Sequence, residues 1–223
     1  MKIMLIDTPA DPVRFAFAHL FEKRPAKANK DGKKGKDKYE LTPIITPGGE
    51  NHQKIEAAII AVMQEKYGTK LVDVIDKDGE KTGEQMPFWQ YLWKHEFADD
   101  QKGLRKGNLK RDKSNEIYDG FEDKLYVTAR NENRPGVFSR AAVPVTAADD
   151  GKPYSGCFGN VEIDIWALNK PDVTKRVVID LLGAQFTRDG DSFGAGSAPS
   201  KASSFANLSA ADDAAPKSGG LLD

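Results

Sequence analysis

Residues 153–190 read PYSGCFGNVEIDIWALNKPDVTKRVVIDLLGAQFTRDG, two apolar runs joined by a polar turn. In the first run Cys157, Val161, Ile163, Ile165 and Ala167 share one parity, while Phe158, Asn160, Glu162, Asp164 and Trp166 share the other. Successive side chains of a strand point to opposite faces, so this alternation predicts a half-buried strand. Asn169, Pro171 and Asp172 break the run. Val177, Ile179 and Leu181 then alternate against Val178, Asp180 and Leu182, which predicts the second arm of a long antiparallel hairpin.

Outward from this hairpin, composition bounds the rest. The chain has 223 residues, 39% of them apolar, enough for one substantial core. Lysine plus arginine (33) nearly balances aspartate plus glutamate (34), and a net charge of −1 speaks against a simple polyanion binder. The distribution speaks for one. Residues 189–223 carry five Asp and two Lys, which leaves the preceding chain at +2. Within it, Arg14 to Lys38 holds nine basic residues against three acids, and Gln101 to Lys113 six against one. A basic core followed by an acidic tail suits a protein that binds polyanions and regulates that binding. The single cysteine, Cys157, excludes an intrachain disulfide and reads as a small buried apolar residue. The opening residues, MKIMLIDTPADP, hold too short an apolar run for a signal peptide, and no window reaches a membrane span. The expected location is therefore the reducing cytoplasm.

Toward the N-terminus, Val13, Phe15, Phe17, His19 and Phe21 alternate with Arg14, Ala16, Ala18 and Leu20, a first strand that stops at Pro25. The loop after it is almost wholly cationic. We read Lys33, Lys34, Lys36 and Lys38 as a flexible finger for phosphates, followed by a strand from Tyr39 to Ile45. Asn51 is placed to cap a helix from His52 to Tyr67, with Ile55, Ile59, Val62 and Met63 as its apolar stripe and Gly68 as its stop. That helix is expected to plug one end of the sheet. The aromatic stretch from Phe88 to Phe97 is too broadly apolar for one narrow stripe, and reads as core. A second basic segment, Lys102, Arg105, Lys106, Lys110 and Arg111, is broken by glycines and fits backbone contact better than base readout. In the strand that follows, Leu125 and Val127 oppose Tyr126, Thr128 and Arg130. If exposed, the second set is a small stacking and phosphate-contacting platform, and Arg134, Phe138 and Arg140 continue the same interleaving. After Phe193 the chain is rich in Gly, Ser, Ala and Asp, the composition of a disordered tail.

The sequence has no GxxxxGK[ST], GxGxxG or HExxH motif. The segment from Asp76, DKDGEKTGEQ, lacks the terminal glutamate of a calcium loop and reads as a turn. His19, His52 and His95 stand in unrelated contexts, so no metal and no cofactor is expected. The basic clusters interleaved with aromatics make nucleic acid a plausible ligand, since a groove lined by both would hold a strand through the π face that every base offers. Its candidates are Tyr39, Tyr126, Phe138, Phe158 and Trp166, flanked by Lys124, Arg130, Arg134, Arg140 and the two lysine-rich loops. Glu162 and Asp164 share a parity with Trp166 and would repel phosphate there.

The stretches YSGCFGNVEIDIWA and LLGAQFTRDGDSFG resemble a family of bacteriophage single-stranded DNA-binding proteins, small OB-fold proteins with an acidic tail. The likeness is most specific at Tyr154, Ser155, Gly156, Cys157 and Trp166. It continues at Leu182, Gly183, Gln185, Phe186, Arg188, Asp189, Gly190, Phe193 and Gly194, and extends loosely back to about Phe15. It implies a mostly β, OB-fold barrel over residues 1–193, with additional helices and long basic loops, and a disordered acidic tail over 194–223. It implies a non-enzymatic protein in the cytoplasm of an infected bacterial host. Such a protein coats single-stranded DNA, with duplex DNA and self-association on DNA as further open partners, during replication, recombination or repair. The tail would recruit a phage or host polymerase or helicase, with Asp212, Asp213, Leu221, Leu222 and Asp223 as its contacts.

Two other classes stay open at this point. A metal-dependent replication or recombination nuclease would need carboxylates converging in a cleft rather than spread along strand faces. A non-catalytic adaptor would have basic loops that flank no continuous groove.

Overall fold

The computed structural model describes residues 1–193 apart from 27, 29–31, 33 and 172. Lys33, the whole 194–223 segment and its five expected partner contacts lie outside the described residues. The expected hairpin is the backbone of the molecule. Strand β10 (Phe158–Leu168) pairs antiparallel with β11 (Arg176–Arg188) along its full length. Val161, Ile163, Ile165, Ala167, Val177, Ile179 and Leu181 all face the buried core, as their parity predicts.

Around this hairpin a nine-stranded sheet forms, with strands added in the order β6 (Leu104–Lys106), β7 (Leu125–Val127), β3 (Lys38–Ile45), β2 (Arg14–Arg24), β10, β11 and β9 (Gly136–Phe138). Strand β2 meets β10 only at its start, where Phe158 opposes Arg14. Further along, β1 (Lys2–Leu5) takes over the same edge of β10. Strand β9 runs parallel to β11. The segment read as one strand from Leu125 is two, β7 and β8 (Ala129–Asn131), both held by β3. The sheet curls until β8 approaches β11, where the Asn131 side-chain amide donates to the Leu181 carbonyl at 3.0 Å.

A second sheet of two strands, β4 (Leu71–Ile75) and β5 (Lys81–Pro87), forms an antiparallel hairpin around the Asp76 turn. Helix α1 (Glu50–Tyr67) seals the main core with Ile55, Ala58, Ile59, Val62 and Met63, and Tyr67 donates its hydroxyl to the Leu168 carbonyl at 2.6 Å. Its N-terminus corrects the expected cap. Gly49 stands at the N-cap, while Asn51 is buried in the first turn, its backbone N–H donating to Asp11 at 2.7 Å and its side-chain amide bridging to the Ile6 carbonyl at 2.9 Å. Asp11 supplies the acceptor that the sequence pattern assigned to Asn51. Of the aromatic stretch, Leu92 and Phe97 are buried, with Phe88, Trp89 and Trp93 packed partly against the core.

Two features of β2 correct its simple alternation. Phe15 faces the core, but so does Leu20, of opposite parity, because the β2–β3 register shifts between Ala16 and His19. Phe17 sits at this bulge with φ of 49°, and the freed N–H of Ala18 donates to the Ser155 hydroxyl at 3.0 Å. The second feature is a smaller core on the opposite face of the β2–β3–β7 sheet. Ala16, Ile44, Phe121 and Tyr126 are buried there, under the chain between β6 and β7. Tyr126 is 3% exposed, so the expected free platform is in fact packed edge-on against Phe121, with ring centroids 5.3 Å apart. Period-2 alternation identifies two faces but does not say that the second one meets water.

Cys157 is fully buried as expected, and burial pushes its thiol pKa up to about 12. No helix of the described residues is long and apolar enough to cross a membrane.

Candidate nucleic-acid interface

The outer side of the β2–β3–β8 sheet opens into a cleft of about 720 Å³, lined by Arg24, Lys36, Lys38, Glu40, Lys110, Arg130 and Glu132, among others. Five cations face two carboxylates there. Glu40 is nearly buried and holds two arginines at once, one oxygen on Arg24 and the other on Arg130 Nε at 2.6 Å. Each arginine keeps further donors free of this pairing, so the buried glutamate fixes both guanidinium groups at the wall of the cleft. Glu132 pairs with Lys36 at 2.8 Å and, more loosely, with Lys38 at 3.8 Å. These pairs are exposed, and the bond to Glu132 raises the Lys36 pKa. Burial lowers the Lys110 pKa, and the cations Arg105, Arg24 and Arg130 act in the same direction against Glu40.

Lys110 leads from the cleft to an aromatic cluster. Its ammonium lies 4.8 Å from the Phe17 ring and 5.6 Å from that of Tyr126, and Arg24 approaches Phe17 at 5.8 Å. Phe17, turned out by the bulge, meets Tyr118 edge to face at 5.3 Å. Beyond them a slot of about 120 Å³ is bounded by Ala16, Phe17, Tyr118, Asp119, Phe121, Ser155 and Phe193. Arg14 lies 4.1 Å from the Phe193 ring and 5.6 Å from that of Phe158, and Arg188 stacks on Phe158 at 3.5 Å. Cations and rings thus alternate along the outer side of β2, an 11-residue strand about 33 Å long at the usual rise.

Phe193 owes its place to the glycine-rich motif at the two ends of the β10–β11 hairpin. Tyr154 donates its hydroxyl to Gly190 and Asp189 at 2.9 and 3.0 Å, and the Phe193 N–H donates to the Ser155 carbonyl. The ring then lies on Gly120, whose φ is +79° and where a Cβ would stand 2.6 Å from it.

Of the residues expected from sequence, the structure brings Lys36, Lys38, Lys110 and Arg130 together in the cleft, and sets Phe158 between Arg14 and Arg188. Arg105 lies 5.9 Å from the buried Tyr126 ring, Tyr39 faces Lys23 at 5.6 Å, and Arg134 faces Phe21 at 6.0 Å. Lys34, Lys106, Arg111 and Arg140 are exposed and Lys124 half-buried, none of them lining the cleft or the slot. Lys102 is turned toward Asp99 and Trp93. Phe138 lines a different pocket, with Met4 and Glu162. Trp166, 37% exposed, donates its indole N–H to Asp180 at 2.8 Å, and Asp164 opposes Asp180 in the ladder. Neither Phe138 nor Trp166 joins the cationic track. Arg14, Arg24, Phe17, Tyr118, Phe193 and Arg188 were not among the sequence candidates. Among the described residues, no three His, Cys, Asp or Glu side chains come together as a metal site.

Comparison with known proteins places this architecture. The family described as Enterobacter phage Enc34, ssDNA-binding protein, matches residues 5–215. Protein p50 of Acyrthosiphon pisum secondary endosymbiont phage 1 is 32% identical over 214 residues, covering 96% of this chain and 97% of p50. The structure of the single-stranded DNA-binding protein from bacteriophage Enc34 in complex with ssDNA superposes with a TM-score of 0.57 at 20% identity, over 86% of this chain and 89% of that one. A second structure of the single-stranded DNA-binding protein from bacteriophage Enc34 gives 0.55 at 18% identity, over 95% of this chain and 90% of that one. At these identities the superpositions speak for the fold.

Proposed function

This chain belongs to the Enc34-type family of phage single-stranded DNA-binding proteins, and from that membership we propose that it coats single-stranded DNA, without strong sequence preference, during phage replication, recombination or repair. The observation that carries the reading is the track along β2, in which Lys36, Lys38, Arg24, Arg130 and Lys110 precede the rings of Phe17, Tyr118, Phe193 and Phe158. Cations along one side neutralise phosphates and release counterions, while rings offer stacking surface to any base. The curled sheet serves as an OB-type barrel whose outer face carries this track. The protein acts as a binder rather than an enzyme, in the cytoplasm of the infected host. Duplex DNA is a weaker ligand, copies associate along the strand, and the 194–223 segment engages a polymerase or helicase.

Fluorescence anisotropy with single-stranded and duplex oligonucleotides over a salt series, with and without Mg²⁺, tests this directly. The expected result is tighter single-strand binding, a steep fall with salt and intact DNA in Mg²⁺. Cleavage products would establish a nuclease, and binding insensitive to salt would remove the cationic track from the function.

A further inference from the structure

The aromatic slot contains one group that a purely sequence-tolerant stacking site does not need. The rings of Phe17, Tyr118, Phe121 and Phe193 line it, and so does Asp119. Asp119 occupies the first central position of a tight turn in which the Phe121 N–H donates to the Tyr118 carbonyl at 3.1 Å, and Gly120 supplies the positive φ of the second. That turn is closed by backbone alone. Asp119 is exposed and takes part in none of the ion pairs among the described residues. The nearby guanidinium of Arg14 donates from Nε to the Gly156 carbonyl and from Nη2 to that of Asp191, and makes no ion pair with Asp119. A carboxylate on a surface meant for a polyanion is an electrostatic cost unless it meets a donor.

We propose that Asp119 makes this slot selective for a base with an exocyclic amino group, cytosine, adenine or guanine, over thymine. The inference rests on the single-strand-binding reading above. A base stacked on the exposed ring of Tyr118, next to Asp119 in the chain, can turn one polar edge to that carboxylate. Cytosine presents its N4 amino group as a donor to the carboxylate, the pairing that Asp and Glu make with that base. Thymine presents carbonyl oxygens on either side of its one ring N–H, and these face the carboxylate with like partial charge. Coating stays sequence-tolerant because the rest of the track contacts phosphates and π faces, while this one position biases the register in which the protein settles.

The test uses the full chain and equal-length, short oligomers of deoxycytidine and thymidine at slightly alkaline pH, where cytosine is neutral. The pair matches ring size, so the ratio of affinities reports the edge. The expected outcome is a preference for the cytidine oligomer of roughly five- to twenty-fold, the range of a hydrogen bond to a charged group weakened by exposure. Asp119→Ala and the isosteric Asp119→Asn should bring the ratio near one, with thymidine binding unchanged or tighter. Equal binding of both oligomers by the parent protein, or an unchanged ratio in both variants, overturns the role of Asp119 while leaving single-strand binding in place. Failure of the parent to bind either oligomer overturns the underlying reading instead.

Discussion

The outer sides of β2 and β10 carry the same kind of sequence, aromatic and charged residues alternating with core aliphatics, yet the fold gives them opposite chemistry. Along β2, Arg14 and Arg24 bracket a bulge that turns Phe17 outward, and Lys110 and Arg130 are brought in from two other segments. Along β10, Glu162 and Asp164 flank Trp166, whose indole is tied to Asp180 of β11, and the Met1 amino group binds Asp164 at 2.7 Å. An aromatic residue on a polar parity is therefore an incomplete signal. Which charges the neighbouring strands deliver decides whether it faces phosphate.

The contrast is broken most severely where the two β2-side layers meet. Tyr126→Ala empties the small core under Phe121 and should cost about 3–5 kcal/mol of stability, read as a fall in the urea midpoint. Trp166→Ala removes a ring from the other face and should leave that midpoint nearly in place. Equal loss in both would show that Trp166, too, is structural. Next in size, the combined Arg24→Ala, Lys110→Ala and Arg130→Ala change should weaken single-strand binding at every salt and reduce the slope of log affinity against log salt by about 2. The acidic-face counterpart, Glu162→Gln with Asp164→Gln, should leave the slope as it is. Smaller again, Tyr118→Ala should lose about 1–3 kcal/mol of binding while Trp166→Ala loses none. A loss with Trp166 and not with Tyr118 would exchange the roles of the two faces.

The gentlest perturbation is pH. Burial lowers the Lys110 pKa, so the folded protein gives up this proton at a lower pH than the unfolded chain. Its contribution to folding stability therefore grows as pH rises through that range, while its contribution to phosphate binding is lost. Affinity for single strands should fall earlier on the alkaline side in the parent than in Lys110→Arg. Parallel pH profiles would mean that Lys110 does not touch DNA.

How far the sequence reaches is visible in these same residues. The long hairpin was legible because Val161 to Ala167 and Val177 to Leu181 obey a strict period of two against one core. The β2 pattern was legible as a strand but not in its faces, since the two register shifts along it, between Ala16 and His19 and between His19 and Arg24, leave no mark in composition. The burial of Tyr126 is not legible, because parity does not say whether the face opposite the main core is wet, and the covering residue, Phe121, lies in a segment without periodicity. The cationic half of the candidate site was legible as charge runs. Its aromatic half was not, because Phe17, Tyr118 and Phe193 are more than seventy residues apart from one another in sequence and are assembled by the bulge, a turn at Gly120 and the Tyr154–Gly190 knot.

The central claim, that DNA lies along β2 and not on the Trp166 face, is tested most directly by photocrosslinking. A short single strand carrying 5-iododeoxycytidine, bound to the full chain and irradiated, should attach to peptides that contain Phe17, Tyr118 or Phe193, and the attachment should fade as salt is raised. Crosslinks confined to the peptide bearing Trp166, with the β2 peptides unmodified, would contradict the account.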